Sequence, residues 1–188
     1  EARACRDISV LIGHCVIARI EGRSGEFAKA FAELAEAERL MHIWDVPPIY
    51  YLAMITLVKC ELWLAQGRTD LAEAWLARLG QTYNGEQPAA PPEFHPQLPL
   101  HIELQQALLE AIQGQPMLAE GRLHALLERG EQTGHQLLSA LALTQHIELL
   151  LDTGREPQAR QALVQALEAA SGGALQPFDN LLKKHPDW

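Results

Sequence analysis

Aromatic residues are scarce in this chain: four Phe, four Trp and three Tyr among 188 residues, 6% of the total. With Ala and Leu abundant instead, a core built from pleated sheet is disfavoured and helices are expected. Cysteine is scarcer still. Cys5, Cys15 and Cys60 are an odd number without CxxC spacing, which argues against a disulfide framework or a cysteine-rich zinc module. Positive charge is in deficit, with 15 Lys and Arg against 24 Asp and Glu and a net charge of −9. Such a chain is poorly suited to gripping phosphate backbones, so no direct nucleic-acid contact is expected. Apolar runs never reach the length of a membrane span, and the start does not read as a signal peptide. No membrane association and a cytoplasmic location follow as expectations. There is no GxxxxGK[ST] loop, no Ser-His-Asp order and no nucleophile elbow. No enzyme activity, catalytic residue or cofactor is therefore assigned. The chain begins at Glu1 with a helical pattern close behind, and is read as a fragment of a larger protein.

What the chain does have is a recurring hairpin. The stretch 63–79 is the clearest copy: a helix end, a turn at Gly67, and a second helix with Asp70 as its cap answered by Glu73. Small Ala72 and Ala74 are placed to let the second helix pack closely on the first. Four glycines, Gly22, Gly67, Gly114 and Gly154, end the first helix of successive hairpins and stand 45, 47 and 40 residues apart. Alanine follows five residues later at Ala72, Ala119 and Ala159, and six later at Ala28. This period predicts an all-α fold of stacked antiparallel helical hairpins, over residues 8–42, 49–83, 100–133 and 135–170. They form a single helical-repeat domain spanning 1–188, closed by a short C-terminal cap at 177–185 after a break at Gly172-Gly173. Residues 84–99 hold five of the eleven prolines and read as one long loop, mobile or hinge-like.

Two groups of side chains are candidates for binding. Eight residues before each glycine stand His14, Lys59, Gln106 and His146, polar in all four hairpins. They share a helical stripe with Glu21, Gln66, Gln113 and Thr153, and predict a solvent-accessible inner ladder. Trp44, Tyr50, Tyr51, Trp63 and Trp75 cluster in one third of the chain. Core packing is the ordinary role for such residues, and burial between hairpins is the expectation for Trp75. Tyr50 and Trp63 are the candidates for a stacking platform that takes a ring-bearing ligand. Glu120/His124, His124/Glu128 and Glu131/His135 have helical spacing that two metal ligands could share. In a chain with eight His and 24 acidic residues such pairs arise by chance, and no metal is expected.

Ala-Gln-Gly-Arg-Thr-Asp-Leu-Ala-Glu-Ala (65–74) and Asp-Thr-Gly-Arg-Glu-Pro-Gln-Ala-Arg-Gln-Ala-Leu (152–163) resemble the inter-helix turn of tetratricopeptide repeats. That resemblance implies a tetratricopeptide-like α-solenoid, or superhelix, and its register places Arg19, Met54, Glu61, His101 and Glu148 in the groove. A longer stretch, 47–188, is similar to the helical-repeat region of large MalT-like, LuxR-type ATP-dependent bacterial transcription activators. The features are Leu-Ala-Glu-Ala-Trp-Leu-Ala-Arg-Leu (71–79) before a proline-rich break, residues 141–167, and Gly172-Gly173 followed by Leu-Gln-Pro-Phe-Asp (175–179). The resemblance implies a signal-sensing domain that binds a small-molecule inducer or a regulatory protein. It places ATP only on a missing N-terminal module, and DNA only on a missing C-terminal helix-turn-helix. A free-standing protein–protein interaction scaffold with no transcription role is the alternative, and self-association is left open.

Overall fold

In the computed structural model the residues described are 2–169, 178, 181–183 and 185, with backbone alone for 2–8, 50, 168 and 169. They are all-α, with no strand among them. The helices are α1 (Ala2–Arg23), α2 (Phe27–Ile43), α3 (Pro48–Ala65), α4 (Thr69–Asn84), α5 (Leu98–Ile112), α6 (Pro116–Thr133), α7 (Gln136–Asp152) and α8 (Glu156–Ala169). Their order and pairing are consistent with a helical-repeat fold, and the hairpin limits fall within a few residues of those expected, save at the N-terminus. The expected break at Gly172-Gly173 lies outside the described residues, as does most of the expected cap at 177–185. Phe178 and Leu181 of that cap are buried against Ile147, Leu150 and Leu163.

One backbone device closes the first helix of every hairpin. Gly25, Gly67, Gly114 and Gly154 each adopt a left-handed conformation, φ between +71° and +79°. The next N–H then bonds back to the carbonyl five residues earlier: Glu26 to Glu21, Arg68 to Trp63, Gln115 to Glu110 and Arg155 to Leu150, at 2.8–2.9 Å. A side chain at these positions would strain the backbone, which is why glycine recurs there. The first hairpin departs from expectation, because α1 runs through Gly22 and turns at Gly25. Gly22 has a different task. A Cβ there would lie 2.3 Å from Leu62 Cδ2, so the missing side chain is what allows α1 and α3 to approach. With Gly25 as the turn, the alanine five residues on is Ala30, and Ala30, Ala72, Ala119 and Ala159 are all fully buried. Ala28 and Ala74 are exposed and take no part. Asp70 is not a cap either, since α4 starts a residue earlier with no side-chain cap bond. The same turn joins successive hairpins at Gly134 and at Asp45, whose φ of +52° stands in for a glycine. Aspartate tolerates that conformation better than most residues.

The chain forms two compact units, 1–105 and 106–188. In the first, α2 packs on α1 and α3, α1 also meets α3, and α4 lies on α3. Leu11, Cys15, Leu34, Ile55 and Val58 make its core. In the second, α7 packs between α6 and α8, around Ile147, Leu150, Ala159 and Leu163. The proline-rich segment is not a free loop throughout. Residues 86–90 are exposed, but Pro92 is buried and the Phe94 ring stacks on Tyr51 at 4.9 Å.

Candidate functional site

The polar stripe lies elsewhere than expected. His14, Lys59 and His146 keep only 20%, 23% and 12% of their side-chain surface, and Gln106 is likewise half-buried. This is no open ladder, because each side chain is turned against a second helix of a hairpin. In the first unit, His14 Nδ1 of α1 lies 2.6 Å from Glu33 of α2, and Lys59 of α3 donates to Glu38 of α2 at 2.6 Å. In the second, Arg122 of α6 donates to Gln106 of α5 at 3.2 Å, while His146 of α7 lies 3.4 Å from Glu120 of α6. So α2 and α6 do the same thing: each reaches back to its own first helix and forward to the next. Half-burial is tolerable for these polar groups because each has a partner. Turning at Gly25 also puts Ile17, not His14, in the row of Lys59, Gln106 and His146.

The aromatic residues do not make one platform. Tyr51 is buried beneath Phe94. Trp63 lies 6.1 Å from Phe31 of α2, tilted against it, and the side chain of Tyr50 lies outside those described. Trp75 is half-buried, with the Arg78 guanidinium 5.5 Å over its ring.

A cluster does form at the groove positions of the tetratricopeptide register. Arg19 of α1 donates two hydrogen bonds to Glu61 of α3, both 2.7 Å. This bidentate pairing fixes both side chains more firmly than a point-charge contact does. His101, on α5, feels the fields of both, and its ring lies edge-on to His95 at 5.2 Å. Burial first, then the neighbouring His101 and Arg19 charges, push His95 down to about 4. Burial and Arg19 push His101 down as well. Both imidazoles are therefore neutral at pH 7, able to donate from one nitrogen and accept at the other. Beneath them, burial pushes the Cys15 thiol up to about 11 and Cys60 up to about 12. Neither is a nucleophile at neutral pH. The arrangement places a paired cation and anion beside two neutral rings. The first unit also has an open recess of about 360 Å³ at the α2–α3 turn, with Met41, Val46 and Leu52 as its floor and Glu38, His42 and Asp45 around it.

Arg19, Glu61 and His101 lie outside the row that reads as polar in every hairpin. The signal that finds them is charge complementarity, Arg19 against Glu61 at equivalent places on two first helices. No protein-family model matches the chain, and neither does any curated protein or solved structure.

Proposed function

We propose that the chain is the signal-sensing helical-repeat region of a LuxR/MalT-type bacterial transcriptional regulator, coiled as a tetratricopeptide-like solenoid. It binds a small-molecule inducer or a regulatory protein and shifts the parent activator between resting and active forms. ATP and DNA belong to other modules of that parent. The resemblance carried by residues 71–79, 141–167 and 172–179 supports the family reading, and the Arg19–Glu61–His101 cluster supports binding on the first helices. The half-buried groups there are already paired, so an incoming ligand adds contacts to a preorganised surface at little ordering cost.

The test is a reporter of inducer response in the full-length parent. Arg19→Ala and Glu61→Ala are expected to shift the inducer concentration for half response by at least tenfold, while Arg160→Ala on α8 leaves it unchanged. Unchanged response in all three overturns the site. A parent reading frame that lacks both a phosphate-binding loop and a helix-turn-helix favours the interaction scaffold instead.

A further inference from the structure

Three potential metal donors from two helices meet in the second unit. Glu120 and His124 are one helical turn apart on α6, so they share a face, and His146 comes across from α7. Their ligand atoms all lie within 4.8 Å of one another. His146 Nε2 is 3.4 Å from Glu120 Oε1, long for a hydrogen bond between such groups. It is the separation of two donors on one tetrahedral ion, since bonds of 2.0–2.1 Å give an edge of about 3.3 Å. His124 presses its ring edgewise on His146, centroids 4.8 Å apart at 76°, and is exposed. A shift of its side chain therefore brings its nitrogen into range without disturbing the core.

We propose that Glu120, His124 and His146 form a binding site for a divalent first-row transition metal of the Zn²⁺ class. Two imidazoles and one carboxylate select such an ion over Mg²⁺ or Ca²⁺, which want oxygen alone. Arg155 already grips Glu120 through both oxygens, at 3.0 and 3.1 Å. A carboxylate has about four lone-pair sites, so the grip orients Glu120 and leaves room for an ion. The guanidinium charge works against the ion, and sets a modest affinity. The exposed side is open to water as the fourth ligand. Metal there ties α6 to α7, adding to the packing that the two helices already share.

The chelator-stripped 188-residue chain, titrated with Zn²⁺ by calorimetry and with Co²⁺ by visible absorption, tests this. Expected are one equivalent bound, the intense visible bands of four-coordinate Co²⁺, and a rise in melting temperature with Zn²⁺. His146→Ala and Glu120→Gln each weaken binding at least tenfold, and Arg155→Gln tightens it severalfold. His146 is half-buried and its loss could unfold the helix pair, so the exposed His124 decides. His124→Ala keeps the helical circular dichroism of wild type, and is expected to lose both the Co²⁺ bands and the Zn²⁺-dependent rise in melting temperature. Zn²⁺ binding that survives His124→Ala, or that is lost on His42→Ala instead, overturns the proposal, as does no binding at millimolar Zn²⁺.

Discussion

Protonating His95 puts a charge next to the His101 ring and within the field of the Arg19 guanidinium, where burial has already removed much of the water. In the unfolded chain the same ring takes its proton near pH 6.5. The folded form resists until about 4, so between those values the unfolded state binds more protons and stability falls as pH falls. Urea melts at pH 7 and pH 4.5 are expected to differ by about 1–2 kcal/mol on account of this half-buried, partly screened ring. His95→Phe is expected to shrink the difference by that amount; a slope equal to wild type shows that His95 is free in the fold. Side chains of this kind were poorly legible in the sequence. Arg19 and Glu61 lie 42 residues apart, and their pairing depends on a helix register that local spacing does not fix.

The helical elements were legible because glycine, alanine and proline leave strong local marks. Pro48 and Pro116 open α3 and α6, and three of the four turn glycines, Gly67, Gly114 and Gly154, stand where the sequence period puts them. The first does not, because Gly22 and Gly25 are both glycines in a plausible place, and only the folded chain separates them, by the left-handed φ at Gly25 and the approach of Leu62 to Gly22. Substitution separates their roles. Gly25→Ala is expected to cost about 1 kcal/mol, the penalty for a side chain in the left-handed region. Chemical denaturation reads this directly, and a neutral result shows that the turn is not formed there. The buried alanines make a sharper case. Ala72→Leu adds bulk where α4 has no free space and is expected to cost about 1–3 kcal/mol, whereas Ala74→Leu on the exposed side stays within about 0.5 kcal/mol. Equal effects at the two positions contradict the packing of α4 on its inner face.

For the whole molecule, the division at residue 105 carries no sequence mark. It falls inside α5, not in the proline-rich segment. Proline and glycine announce where a helix stops, and say little about where a packed body stops. The proline-rich segment is still the softest point for a protease. Residues 86–90 are exposed and outside any helix, so limited digestion with a glutamate-specific protease is expected to cut first after Glu86. First cuts at Glu33 or Glu128, within helices, contradict this. Charge also acts at this scale. At −9 overall, the chain is expected to show no retention on duplex DNA at low salt, and salt-sensitive binding contradicts that.

All three cysteines belong to the first unit, and the second has none. Cys15 and Cys60 are fully enclosed, with thiols too weakly acidic to react in place. With Cys5 changed to serine, a thiol-specific dye becomes a clock for one half of the molecule. Each labelling event records a moment when the packing over Cys15 or Cys60 has opened. When reclosing outpaces the dye, the labelling rate in the folded protein, divided by that of the unfolded chain, gives the fraction of time the first unit stands open. The second unit opens without leaving a trace, so a single molecule carries both the reporter and its silent control.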